Sequence, residues 1–344
     1  MSAVLHVDLD ALGRNIAVVR GRVAPAELML VVKDDAYGHG VGPIVERATA
    51  DGVEWFGAFD LATALRVRAV AGDRARIFVW MLAGPDDIRT ALAADLDIGI
   101  GDADLLRDVA ASAAAVGRAA RVHLKVDTGL HRNGIRPEEW ADAVATVAAS
   151  RASGDVDLVG VWSHIAEASD AEDDESRAVY ERALAEVASA GLPRPLRHLA
   201  ASAASSARGD FRYDLVRVGA FCYGIRPDGG PSESALGIEP IATLDAAVVR
   251  REGEDVVVGV GALDGLPSTL GGKIQVATPG GARRMLRIDD TEAVVSGWPL
   301  AAVGQRVTIY GRGAASATDL AETIGTIGEE IAVRISPIVP RRYR

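Results

Sequence analysis

Only three of the chain's 37 basic residues are lysine, namely Lys33, Lys125 and Lys273, which leaves 34 arginines. Arginine stays protonated, whereas a lysine can lose its proton and act as an amine nucleophile, forming a Schiff base or a carbamate. In a sequence that uses arginine wherever any cation will serve, each lysine is a candidate for amine chemistry, with chance survival as the plain alternative. Lys33 closes the apolar run LMLVVK and leads into DDAYGHG. There Tyr37 offers a phenol, and Gly38 and Gly40 permit the close backbone approach that a phosphate-bearing ligand needs; His39 reads equally as structural. Lys125 lies inside VHLKVDTGLHRNG. A buried, uncompensated ammonium is costly, so this lysine must pair with Asp127 or lose its charge by modification. As a carbamate it would be negative and could orient Arg132.

Further along, His164 ends GVWSHI and His198 opens RHLAA. Each taken alone reads more readily as a satisfied core histidine than as a catalytic one. Ser202, with Ser205 and Ser206, lies in a small-residue stretch suited to holding a phosphate through hydroxyl and backbone N–H groups. Arg217 stands in LVRVG, followed by Gly219 and Ala220; it reads as a salt-bridge partner or as part of an anion site.

These residues fall at the ends of regularly spaced apolar runs. LMLVVK (28–33), WFGAF (55–59), RIFVWML (76–82), LDIGI (96–100), RVHLKVD (121–127), VDLVGVWSHI (156–165), RHLAA (197–201) and LVRVG (215–219) give eight strand signals separated by helical patterns. That is the rhythm of a (β/α)8 TIM barrel, whose active sites lie at the C-terminal ends of the strands. Leu105, Leu106, Val109, Ala113 and Val116 share one helical face that Gly117 ends, and a helix opening at Ser169 carries acids in its first turn. After GIRPDGGPSES (224–234) the rhythm changes to short strand-like runs, DVVVGVG, KIQVATPGG, RVTIYGRG and EEIAVRIS. The expected organisation is a barrel over 10–228 followed by a β-rich C-terminal domain over 229–344 that includes a strand at 3–9.

Composition narrows the function. The chain has 344 residues, 49% hydrophobic and 25% charged, with a net charge of −11 and no basic patch, so nucleic acid is not an expected partner. No apolar run approaches a membrane span, and MSAVLHVDLD lacks the features of a signal peptide, so a cytoplasmic protein is expected, with no membrane partner. The single cysteine, Cys222, excludes an intrachain disulfide, and the six histidines show no metal-ligand spacing, so no metal is expected.

Taken in order, VVKDDAYGHG, HLKVDTGLHRNG, SHIAEASD, HLAAS, VRVGAFCYG and GTIGEEIAVRISPIVPRRY resemble the segments of alanine racemases over nearly the whole chain. The resemblance implies a fold-type III protein that binds pyridoxal 5′-phosphate (PLP), an isomerase interconverting L-alanine and D-alanine, built as a homodimer. By it, Lys33 is the Schiff-base lysine and one catalytic base, and Tyr37, Ser202, Gly219 and Ala220 hold the phosphate. It places Arg217 at the pyridine nitrogen, His198 behind Arg217 and His164 beside the ring. Lys125 becomes the carbamylated lysine that positions Arg132 for the substrate carboxylate.

The resemblance also fails at particular positions. Where the family carries its second base in a GYADGY-type segment, this chain reads VGALDGLP, with Ala262 in the tyrosine's place. Glu329 replaces a phosphate tyrosine, Ala201 replaces an asparagine, and of a substrate-binding segment only Asp289 is recognisable, in RMLRIDDTEA. The second domain is shortened between Val248 and Val258. Racemisation is therefore expected to be impaired or altered, the alternatives being a PLP enzyme redirected to another amino-acid reaction or a cofactor-binding pseudoenzyme or regulator.

Overall fold

The computed structural model describes residues 2–167 and 169–344; Met1 and Ala168, the latter within SHIAEASD, lie outside the described residues. The described residues form sixteen strands. The first, β1 (Ala3–Val7), precedes eight that form one sheet: β2 (Glu27–Val31), β3 (Trp55–Asp60), β4 (Arg76–Met81), β5 (Asp97–Ile100), β6 (Ala120–Lys125), β7 (Val156–Trp162), β8 (Leu196–His198) and β9 (Leu215–Val218). The others are β10 (Ala242–Glu252), β11 (Asp255–Val258), β12 (Gln275–Thr278), β13 (Gly281–Ile288), β14 (Ala293–Val295), β15 (Arg306–Tyr310) and β16 (Arg341–Tyr343).

The chain separates into two compact units, one of residues 19–33 and 49–219, the other of residues up to 18, 34–48 and 220–344. In the first unit the sheet runs β8-β7-β6-β5-β4-β3-β2-β9, every pairing parallel. Arg217 N–H donates to Ala200 O at 3.2 Å and Asp214 N–H to Arg197 O at 3.1 Å, stitching β9 to the segment of β8 so that the sheet closes as a barrel. The eight apolar runs of the sequence are these eight strands. They read as nearly continuous hydrophobic runs because both faces of a parallel barrel are covered. Met29, Trp55, Phe78, Trp162 and Leu215 form the central cluster. The helix boundaries follow the sequence signals. Asp102 caps Ala103–Val116 by accepting from Leu105 N–H, Gly117 ends it at φ +65°, and Ser169 caps Asp170–Ser189 through Glu172 N–H. One expectation shifts by a residue or two: His198 closes β8 instead of opening it.

The second unit holds the other eight strands in the order β11-β14-β13-β12-β15-β10-β1-β16. β1 pairs antiparallel with β10 and parallel with β16, so the first and last strands of the chain share one sheet. Along β10 burial alternates, with Leu244, Ala246 and Val248 inward, as in an antiparallel sheet with one solvated face. EEIAVRIS, expected as a strand, is instead the helix Gly328–Arg334. Ile331, Ala332 and Ile335 are buried while Val333 is partly exposed, which is the i, i+1, i+4 stripe of a short helix and not the alternation of a strand. No helix among the described residues is long and apolar enough to cross a membrane. Among the described residues no cluster of three or more His, Cys, Asp or Glu could hold a metal ion.

Candidate active site

In the barrel unit, strand ends gather cations. Lys33 follows β2, Lys125 ends β6, Arg217 lies on β9, and Arg132 belongs to the loop after β6. Lys125 is 5% exposed, its Nζ 4.8 Å from the centre of the Trp162 ring and 3.3 Å from Asn133 Oδ1. Asn133 occupies space that only a glycine at 101 leaves open. Burial, then the Arg217 and Arg132 charges, push the Lys125 amine down to about 8 against the opposing pull of Asp127. Asp127 is itself engaged by His131 Nδ1 at 2.9 Å and by the backbone N–H groups of Gly129 and His131. The simple Lys125 and Asp127 pairing therefore does not neutralise the amine.

Arg217 is buried at 6% exposure and is held from several sides. Its guanidinium donates to the carbonyls of Ser163 (2.6 Å), His198 (2.8 Å) and Leu199 (3.1 Å), and its Nη2 lies 3.4 Å from His164 Nδ1. Burial lowers it to about 10, so it remains a cation at neutral pH. His164, half-buried, is pushed down to about 3 by burial and then by Arg217, Arg132, Lys125 and Lys33. It is a neutral imidazole that registers four cations at once. His198, wholly buried, stacks parallel to Trp162 and receives a hydrogen bond on Nδ1 from Arg217 at 3.2 Å. Tyr180 accepts from His198 N–H at 3.0 Å and donates to Val161 O at 2.6 Å, fixing the end of β8.

Ser202 begins the helix Ser202–Ala207, and no side chain caps its start at Ala201. The third amide of that helix, Ala204 N–H, donates to the carboxylate of Glu167 at 2.8 Å. An anion thus already sits against these amides. Gly219 is buried directly after β9 and is the last residue of the barrel unit.

The remaining expected residues belong to the second unit. Directly after Lys33, Asp34, Asp35, Ala36 and Tyr37 all take φ between +52° and +55°, a full turn of left-handed backbone. That conformation is held by Gly38 N–H donating to Asp34 O, Gly40 N–H to Asp35 O and Val41 N–H to Asp35 Oδ1. Tyr37 is buried with its ring 4.8 Å from that of Tyr223, which stacks on His39 at 5.3 Å. Burial and then the Glu329 carboxylate push the Tyr37 phenol well above its usual range. Ala220 is buried and its carbonyl accepts from Ile225 N–H at 2.9 Å. His39, lowered to about 4 mainly by burial and bonded to Ala36 O, is a structural histidine of this turn.

Ala262 opens a short turn in which its N–H donates to Asp289 O and Leu263 N–H to Asp290 O. The Asp289 side chain is exposed and paired with Arg287. None of the six tyrosines falls in this turn, the others being tied up in helix, strand or ring contacts. Lys273 is exposed and joins neither group.

The sequence singled out neither Asp97 nor His123, both wholly buried on barrel strands. A signal was present: an acid inside LDIGI and a histidine two residues before Lys125, on the same strand face.

The family description "Alanine racemase, N-terminal domain" matches residues 7–227, and "Alanine racemase, C-terminal domain" matches 245–343. Among curated relatives, the alanine racemase of Thermobifida fusca is 36% identical over 99% of this chain and 98% of its own. Among solved structures, the alanine racemase of D-cycloserine-producing Streptomyces lavendulae superposes with a TM-score of 0.94 at 34% identity, covering 100% of this chain and 97% of that one. The alanine racemase of Streptomyces coelicolor A3(2) matches with the same TM-score at 32% identity, over 99% and 98%.

Proposed function

The chain belongs to the alanine racemase family, and from that we propose that it binds PLP at the C-terminal mouth of its barrel and acts on alanine as a racemase whose second proton-transfer step is impaired or altered. The carrying observation is the charge at that mouth: after burial, the Arg217, Arg132, Lys125 and Lys33 charges all lower His164. A dianionic phosphate and a substrate carboxylate would be matched by that positive charge. The Glu167 carboxylate on Ala204 N–H is a stand-in anion at the place where Ser202 and the adjacent amides would take a phosphate. The residues present therefore fit the cofactor.

In this reading Lys33 supplies the amine that holds the cofactor's aldehyde carbon and moves a proton on its own face of the substrate. By the family resemblance Tyr37, Ser202, Gly219 and Ala220 would hold the phosphate. Arg217, which can only donate, would serve as a hydrogen-bond donor to the pyridine nitrogen, with His198 supporting it. His164 would lie beside the ring. Arg132 binds the substrate carboxylate, and Lys125 in its carbamate form steers Arg132. PLP, when bound, supplies stabilisation for negative charge at the substrate α-carbon.

Racemisation needs a proton removed on one face and returned on the other. At Ala262 the side chain is a methyl group with no proton to exchange, and loss of one positioned proton carrier slows such a step by about 10²–10⁴-fold. Glu329 beside Tyr37 favours the second reading, a cofactor-binding protein redirected to another reaction or to regulation, because its charge opposes a phosphate. The working domains are 10–228 and 229–344 with the 3–9 strand, in a homodimer.

The test is the absorption spectrum of the purified protein with PLP, before and after D- and L-alanine, followed by α-hydrogen exchange in heavy water. A visible band lost in Lys33→Ala supports the cofactor site. Exchange with retention of configuration indicates a single base, exchange with inversion indicates racemisation, and a protein that takes up no PLP refutes the proposal.

A further inference from the structure

Arg217 is one end of a line of buried polar groups that crosses the barrel interior. His198 Nε2 lies 2.9 Å from His123 Nδ1, and His123 Nε2 lies 3.2 Å from Asp97 Oδ2. With the 3.2 Å contact from Arg217 Nη1 to His198 Nδ1, four residues on β9, β8, β6 and β5 are joined end to end. Asp97, His123 and His198 are each 0% exposed. At the far end Arg76 and Arg121 pair with Asp97.

The two ends of this line dictate everything between them. A guanidinium has donors only, so His198 Nδ1 must accept and the His198 proton must sit on Nε2. That proton points at His123 Nδ1, which therefore accepts, leaving the His123 proton on Nε2 to be donated to the Asp97 carboxylate. An extra proton on either ring would set two N–H groups face to face. Both imidazoles are accordingly neutral, in agreement with the lowering of each by burial. The line has a direction, from Arg217 through two rings to a carboxylate, and hydrogen bonds in such a series strengthen one another. Space is reserved for it as well: a Cβ on Gly160 of β7 would lie 2.1 Å from His123 Nδ1.

We propose that Asp97 and His123 are positioning residues for the reaction, acting through His198 to fix the orientation of the Arg217 guanidinium and to support its charge with a carboxylate at the opposite end of the barrel core. The carbonyls of Ser163, His198 and Leu199 hold the guanidinium in place, while the line sets which donor faces which way. This rests on the proposed contact of Arg217 with PLP for its effect on the reaction, but the tautomers stand on the barrel alone.

The experiment has two arms. In protein labelled with ¹⁵N-histidine, without cofactor, His123 and His198 are expected as neutral Nε2–H tautomers from about pH 6 to 9. Finding the His198 proton on Nδ1, or either ring charged, overturns the proposal. In the PLP-loaded protein, Asp97→Asn keeps an acceptor for His123 but removes the charge. Its expected effect is a shifted cofactor absorption band and a kcat for alanine α-hydrogen exchange lower by about tenfold, with KM within about twofold. Gly160→Ala, which displaces His123 without touching an ionisable group, is expected to reproduce both changes, and it carries this arm if Asp97→Asn does not fold. An unshifted band and unchanged kcat in the folded variants overturn the proposal. Failure of the protein to take up PLP would refute the proposed function, and the first arm would still decide the tautomers.

Discussion

Lys125 puts the electrostatics of the barrel mouth to the sharpest test. Its amine is buried and lowered to about 8, first by burial and then by Arg217 and Arg132. An unfolded chain holds this proton up to about pH 10.5, so the difference of about 2.5 units corresponds to roughly 3 kcal/mol by which the native ammonium is disfavoured. Between about pH 8 and 10.5 the unfolded chain binds a proton that the native chain has released, and stability therefore rises with pH across that window. Below pH 8 the cost is present in full. At pH 7 about one Lys125 amine in ten is unprotonated, against fewer than about one in a thousand for an ordinary lysine. That neutral amine is the form that adds carbon dioxide, losing one proton and leaving a carbamate anion, which here would face Arg217 and Arg132 and would relieve the buried ammonium.

Two measurements follow from this. With ¹³C-bicarbonate at neutral pH, a protein-bound carbamate carbon is expected by NMR and is expected to vanish in Lys125→Ala. Bicarbonate is expected to raise the midpoint of thermal unfolding by several degrees in the unmodified protein, as ~3 kcal/mol implies, and to leave Lys125→Ala unmoved. A carbamate signal absent at neutral pH, together with an unmoved midpoint, would refute the claim that these cations select an anion at position 125.

Ala262→Tyr is expected to raise the rate of alanine racemisation by about 10²-fold or more while changing one-face α-hydrogen exchange far less; no gain would show that the missing phenol is not the limiting defect. Glu329→Gln removes the negative charge beside Tyr37 and is expected to tighten PLP binding about fivefold at neutral pH, read by fluorescence titration of the apoprotein. An unchanged Kd would mean that the carboxylate does not oppose the phosphate. Gly38→Ala is expected to destabilise the fold by roughly 1–3 kcal/mol in urea unfolding, because Gly38 sits at φ +77° and a Cβ there would lie 2.8 Å from Ala332 O. Equal stability would contradict the close approach of those two backbones.

How far the sequence could be read depended on the range of the interactions. The eight barrel strands were legible because burial on both faces makes each a continuous apolar run, and Lys33 and Lys125 stood out because lysine is rare here. The helix Gly328–Arg334 was misread because its seven residues are too few for a helical stripe to be told from strand alternation. Asp97 and His123 escaped notice for another reason. Their meaning comes from contacts between strands 26 and 75 residues apart in sequence, which no local spacing encodes. Glu329 could be read as a missing tyrosine, but only the fold shows its charge bearing on Tyr37.

Buried positive charge at the strand ends of the barrel favours an anionic ligand. Lys125 and Arg217 are each disfavoured by about 3 kcal/mol of buried charge, by the size of their lowering. The left-handed turn Asp34–Tyr37 adds roughly 1–2 kcal/mol per residue. A chain with no anionic ligand to bind there would be stabilised by replacing Lys125 and Arg217 with apolar side chains of similar volume. A bound anion reverses the balance, because the same cations then become its partners. The consequence is measurable: PLP at about a hundred times its Kd should stabilise the protein by about 2.7 kcal/mol. Inorganic phosphate, which meets only part of the charge, should stabilise it less. Equal unfolding midpoints with and without PLP would mean that the buried cations serve no anion, and the cofactor site would have to be abandoned.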